Sequence, residues 1–281
     1  MITIHSDTLK VTINPFGAEL HSIVNNEGEE LLWQGDPAVW SGRAPILFPV
    51  AGSFKNCQYR YNGVTYDMPQ HGFARKRAFS IAAQSDNAAS FILDSKEENY
   101  PFDYCLTASY ALSGSRLRVT YTVENKGENA MYFGIGSHEA YACPEGIEHY
   151  HLEFSDDDTL TNHLLTGPLR NYKTEEIALE NKCLPLSPAI YETLDTLIFA
   201  DLKSRSVTLR KNDGSRFVRV DFDGMQDLML WQKMGAKYFC IEPWTHAPEY
   251  IDHDGDITRK PGVRVLAPGE KQDITHTITF G

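Results

Sequence analysis

The sequence predicts an all-β protein built on two large antiparallel sheets, with helix confined to a few short turns. Three observations carry this prediction. Apolar and polar residues alternate with period two, glycine-containing turn signals stand between the alternating stretches, and no long segment repeats with the 3.6 period of a helix. Successive strand side chains point to opposite faces, so strict alternation marks a sheet with one face toward a core. A parallel sheet needs crossover helices, and without them the connections must be antiparallel.

In chain order, the first clear element is Asp36-Pro37-Ala38-Val39-Trp40, an N-capping Asp with Pro at the first helical position. Pro45 and Pro49 limit it to one or two helical turns. Tyr59-Arg60-Tyr61 and Val64-Thr65-Tyr66 flank Asn62-Gly63, a pair suited to the positive φ values of a two-residue hairpin turn. Residues 104–112 and 117–123 form a second hairpin through Ser113-Gly114, and Leu117-Arg118-Val119-Thr120-Tyr121-Thr122-Val123 alternates throughout. A third joins Val207-Thr208-Leu209 to Phe217-Val218-Arg219-Val220 across Asn212-Asp213-Gly214. The chain ends as a strand, with Ile274, His276, Ile278 and Phe280 on one face and Thr275, Thr277 and Thr279 on the other. With no internal repeat, low-complexity tract or Gly/Ser linker, residues 1–281 read as one domain.

A formal net charge of −12 over 281 residues, with Lys and Arg scattered, offers no basic field for phosphates, so nucleic acid is not an expected partner. Five cysteines, with no Cys-x-x-Cys pair, make a poor disulfide framework and read as reduced. The opening Met1-Ile2-Thr3-Ile4-His5-Ser6-Asp7 lacks a basic start followed by an apolar core, and no run of about 18 apolar residues appears. A cytoplasmic protein without membrane contact, monomer or homodimer, is expected.

Three segments set a titratable residue beside glycine or proline at an expected strand end, where regular pairing stops and a side chain is re-aimed. They are Met68-Pro69-Gln70-His71-Gly72-Phe73, Gly134-Ile135-Gly136-Ser137-His138-Glu139-Ala140-Tyr141, and Phe239-Cys240-Ile241-Glu242-Pro243-Trp244. Two histidines and a carboxylate suit acid/base work, although only the fold can bring together residues so far apart in sequence. Trp231 and Trp244 are candidate apolar walls that desolvate the carboxylate and stack on a sugar, or else core residues.

The order of Pro45-Ile46-Leu47-Phe48-Pro49-Val50-Ala51-Gly52, His71-Gly72-Phe73, Gly136-Ser137-His138, Ile241-Glu242-Pro243-Trp244 and Leu266-Ala267-Pro268-Gly269-Glu270 resembles the aldose 1-epimerase (galactose mutarotase) family. The likeness is greatest to its shorter, lactose-operon-associated branch and covers essentially the whole chain. It implies a large antiparallel β-supersandwich and cofactor-free interconversion of the α and β anomers of a hexose. By motif, Glu242 is the implied base, His138 the acid on the other side of the sugar that protonates the ring oxygen, and His71 a donor to the C1 oxygen. For substrate hydroxyls the resemblance implies an Arg and an Asp. Arg43 and Asp195 are the best matches, with Arg75 and Arg77 as alternatives for the Arg. His71-Gly72-Phe73 departs from the His-Gly-Gly of galactose-specific members, which leaves the sugar open.

Other readings of the same residues are a metal triad of His71, His138 and Glu242, a hexose-6-phosphate mutarotase, and a non-catalytic sugar-binding or sensing module. The phosphate reading requires two or more cationic donors at one end of the sugar. Asp252-His253-Asp254-Gly255-Asp256 is a partial calcium-loop pattern that lacks the closing Glu and reads as a solvated turn.

Overall fold

The computed structural model describes residues 1–190 and 196–281. Its C-terminal strand, Lys271–Phe280, buries Ile274, His276, Ile278 and Phe280 and leaves the intervening threonines half-buried, as the alternation requires. This strand pairs with Phe217–Asp221 on one side and Arg116–Asn125 on the other. Pairing continues outward through Ser206–Lys211, Tyr150–Phe154 and Cys183–Pro185 in one direction, and Tyr104–Ser113, Ala88–Leu93 and Ser80–Gln84 in the other. The result is a nine-stranded antiparallel sheet.

The three turn signals lie where hairpins form. Asn62 and Gly63 take φ values of 50° and 79° between Gln58–Tyr61 and Val64–Asp67, the backbone that matches strand twist across two residues. Asp36 caps only a single turn. Its Oδ1 accepts from the Ala38 N–H and its carbonyl from the Val39 and Trp40 N–H groups, after which the chain bends at Ser41, Arg43 and Ala44 before Pro45. Short 3₁₀ turns stand at Lys55–Cys57, Ala74–Lys76, Ile147–His149 and Ile257–Arg259.

The second layer is broken where the sequence predicted a large continuous sheet. Its centre is four-stranded, in the order Glu139–Ala142, Tyr238–Trp244, Asp227–Trp231 and Thr196–Phe199. Glycines and prolines interrupt the ladder beyond it, so that isolated bridges, Leu47 to Gly136 and Gly136 to Trp244, carry the layer onward. One continuous apolar core extends from Ile4 to Phe280 and takes residues of both layers. Rings span the two layers directly, with Phe154 6.3 Å from Phe199 and Tyr141 6.4 Å from Phe280.

Candidate active site

Strand Tyr238–Trp244 is buried along its whole length. Period two sends Phe239 and Ile241 into the main core and leaves Tyr238, Cys240, Glu242 and Trp244 on the opposite face. Segment 134–138 lies against the end of this strand. The Ser137 N–H donates to the Pro243 carbonyl (3.1 Å) and the Trp244 indole N–H to the Ser137 carbonyl (3.2 Å). A Cβ on Gly136 would stand 2.5 Å from Cδ1 of Trp244, so glycine is what allows this approach. The next turn of chain delivers His138 beside Glu242.

His71 is held by backbone. Its φ is 64°, in the left-handed region, and Gly72 follows at 68°. The His71 N–H donates to the Gly52 carbonyl (2.7 Å), and the Gly52 N–H donates back to Nδ1 of the imidazole (3.1 Å). A backbone amide is only a donor, so Nδ1 carries no proton and Nε2–H remains as the free donor. Burial pushes the His71 pKa well below its usual value, with His138 and Arg75 adding to the shift, so the ring is neutral.

Nε2 of His138 lies 3.3 Å from Oε1 of Glu242. The His138 ring stacks on Trp40 at 5.1 Å and meets Trp231 and His71 edge-on at 5.6 and 5.8 Å. Burial lowers the His138 pKa to about 4. Burial also raises Glu242 well above the carboxylate range, with the charge of Glu139 adding to it and the Trp244 hydrogen bond opposing it. Both shifts disfavour charge, so burial favours the form of the pair in which both groups are neutral. Behind it, Oε1 of Glu139 meets Nε2 of His276 at 2.9 Å, which ties the C-terminal strand of the large sheet to the strand beside Glu242.

These groups open onto a cavity of about 330 Å³ that His71, Arg75, His138, Trp231, Glu242 and Trp244 all line. A larger hollow of about 430 Å³, between Asn25, Arg216 and Phe280, contains no histidine and no buried carboxylate, so size does not locate the chemistry.

The aldose 1-epimerase family model matches residues 1–279. The chain belongs to the aldose 1-epimerase family. As a member of it, the chain is an enzyme of the isomerase class. The chromosomal LacX protein of Lactococcus lactis subsp. lactis is 33% identical over 99% of this chain and 99% of its own length. Among solved structures, a galactose mutarotase-like protein from Lactobacillus casei matches with TM-score 0.94 at 30% identity, over 100% of both chains. A galactose mutarotase related enzyme from Lactobacillus acidophilus matches with TM-score 0.93 at 30% identity, over 100% of this chain and 97% of its own.

In this aldose 1-epimerase family member the three motif residues converge, together with Arg75, Trp231 and Trp244. Nη2 of Arg75 donates to the Gln70 carbonyl (2.9 Å) at the cavity wall. Arg43 does not join them. Its Nη2 donates to the Gln34 carbonyl (2.6 Å) and its guanidinium packs over Gly35, so proximity to the residue 45–52 motif misplaced it. Arg77 is paired with Glu97. Asp195 lies outside the described residues. His138 and Glu242 stand side by side, 3.3 Å apart, whereas the sequence reading set its acid and base on different sides of the sugar.

Sequence reasoning missed Trp40, Ser53 and Gln70 on the cavity wall. Gln70 adjoins His71, and a tryptophan in a Pro/Gly-rich loop was the available signal for Trp40. It also missed Cys240, two residues before Glu242 and therefore on its face. One ligand atom from each of His138, Cys240 and Glu242 lies within 4.8 Å of the others, so among the described residues the group able to hold a metal contains Cys240 where His71 was expected. Arg259 pairs with Asp254, and the Asp256 N–H donates to Oδ1 of Asp254 (3.0 Å) within the 252–256 turn.

Proposed function

We propose that the protein is a mutarotase that interconverts the α and β anomers of an unphosphorylated hexose by opening and closing its ring. The observation that carries this reading is the buried His138–Glu242 pair, 3.3 Å apart and open to a cavity that His71 also lines. Ring opening must take the proton from the C1 hydroxyl and give one to the ring oxygen. Both oxygens are bonded to C1, so neighbouring base and acid groups reach them together.

With the shared proton on His138, the Glu242 carboxylate accepts the hydroxyl proton while the imidazolium protonates the ring oxygen. The pair ends neutral, the form that burial favours, so the step relieves two buried charges. His71 Nε2–H donates to the C1 oxygen as it becomes a carbonyl. After rotation about C1–C2, Glu242 returns its proton to the carbonyl oxygen and His138 takes the C5 hydroxyl proton as the ring closes on the other face. Trp231 and Trp244 offer apolar faces for the C–H surface of the sugar.

Cation count supports the unphosphorylated substrate. Among the described residues Arg75 is the one cation that lines the cavity, while Arg43 and Arg77 are engaged elsewhere. Anomer exchange measured by NMR on chelator-treated protein, with glucose, galactose and their 6-phosphates in parallel, tests this. Accelerated exchange of a free hexose is expected, with slower exchange of its phosphate. A 6-phosphate exchanging fastest overturns the substrate reading, and no acceleration with any sugar overturns the enzyme reading.

A further inference from the structure

The mutarotase reading has no use for Cys240. Its thiol is fully buried on the cavity face of strand Tyr238–Trp244, beside Ala140 and Tyr238 and below Trp40 and Trp231. Period two places it directly next to Glu242 on that face, and Glu139–Ala142 pairs alongside to bring His138 to the same point. Ligand atoms of His138, Cys240 and Glu242 thus all lie within 4.8 Å of one another.

That spacing fits an ion. Zinc bonds of about 2.0–2.1 Å to nitrogen, 2.0–2.2 Å to oxygen and 2.3 Å to sulfur at tetrahedral angles separate the ligand atoms by about 3.3–3.6 Å. The His138–Glu242 separation is already 3.3 Å, and rotamer changes within 4.8 Å bring in the thiol. One imidazole, one thiolate and one carboxylate leave a fourth position toward the cavity. The thiolate selects thiophilic ions such as Zn²⁺ over Mg²⁺ or Ca²⁺, which prefer all-oxygen sites.

We propose that His138, Cys240 and Glu242 form an inhibitory site for a thiophilic divalent ion of the Zn²⁺ class. Binding forms Zn–N, Zn–S and Zn–O bonds and releases the thiol and carboxyl protons to water. The ion then occupies the lone pairs on Nε2 and Oε1 that proton transfer requires, so metal and sugar exclude one another. This inhibition rests on the mutarotase reading, whereas the metal site does not.

The test uses the full chain, freed of metal by chelator and titrated with Zn²⁺ for activity and Co²⁺ for absorption. Wild type is expected to bind one Co²⁺ with a thiolate charge-transfer band, to lose that band with saturating sugar, and to lose activity to Zn²⁺ reversibly. Cys240→Ser keeps the shape without the soft ligand. It is expected to keep metal-free activity, lose the band and need at least about tenfold more Zn²⁺ for half inhibition. A band that survives in Cys240→Ser, as an exposed Cys57 would give, overturns the proposal, and so does equal Zn²⁺ sensitivity of the two proteins. Should that variant not fold, Cys240→Ala and the sugar competition in wild type remain decisive, because a band indifferent to saturating sugar places the ion elsewhere. If metal-free wild type exchanges no sugar yet shows the Cys240-dependent band, the site stands and the mutarotase reading falls.

Discussion

A buried carboxyl and a buried imidazole 3.3 Å apart titrate as one unit, and their apparent pKa values belong to the pair. Between its two protonations the pair holds the single proton that the proposed ring opening needs. Below the lower one, near the His138 value of about 4, a second proton removes the base. Turnover per molar substrate is therefore expected to be level across neutral pH and to fall about tenfold per pH unit below about 4, as a pH profile of kcat/KM reads directly. Glu242→Gln keeps shape and polarity but cannot carry the proton. We expect a loss of about 10²- to 10⁴-fold in kcat with an unchanged circular dichroism spectrum. A folded variant retaining near-normal kcat removes Glu242 from the base role. At this scale Glu242, His71 and His138 were legible because each stands within two residues of a glycine or proline, although the strand of Glu242 runs on through Pro243 to Trp244. Their side-by-side arrangement was not, since it depends on Glu139 pairing opposite Ile241, 102 positions further along the chain.

Among the elements, the hairpins were legible because Asn62-Gly63 states a backbone conformation that few other residue pairs adopt. The broken second layer was illegible because its bridges join glycines to partners far away in sequence, and a glycine advertises freedom without naming what approaches it. The turn carrying His71 shows how much depends on such a partner. A Cβ on Gly72 would fall 2.1 Å from the Phe48 carbonyl oxygen, in a residue whose φ is 68°. Both the clash and the left-handed backbone oppose alanine. In the same turn the His71 N–H is held on the Gly52 carbonyl, and the Gly52 N–H on Nδ1 leaves Nε2–H as the free donor. Gly72→Ala is expected to cost about 3 kcal/mol or more of stability in urea denaturation, and to lower kcat in the fraction that remains folded. Near-wild-type stability would falsify the assignment of this turn as a close backbone contact.

For the whole molecule, the site is a place where both layers accept charge-bearing groups they would otherwise exclude, and stability records that acceptance. Glu242 has a folded pKa raised above its unfolded value, so its contribution is fully present below about 4.5 and is lost as pH rises toward the folded value. His138 has a folded pKa lowered to about 4 from 6.5, so its contribution is full above 6.5 and is lost as pH falls toward 4. Removing each group should therefore stabilise the protein in opposite pH ranges. Glu242→Gln is expected to match wild type near pH 4.5 and to gain about 1.4 kcal/mol per pH unit above it, up to the folded pKa. His138→Asn is expected to show no pH-dependent gain above 6.5 and a growing one on acidification, reaching about 3 kcal/mol near pH 4. Urea denaturation of the three proteins from pH 4 to 8 checks both slopes at once. Parallel curves would mean that neither group is desolvated in the fold, and the one-proton pair would lose its physical basis. Crossing curves would show that wild type gives up stability on both sides of neutrality to keep an acid and a base buried together.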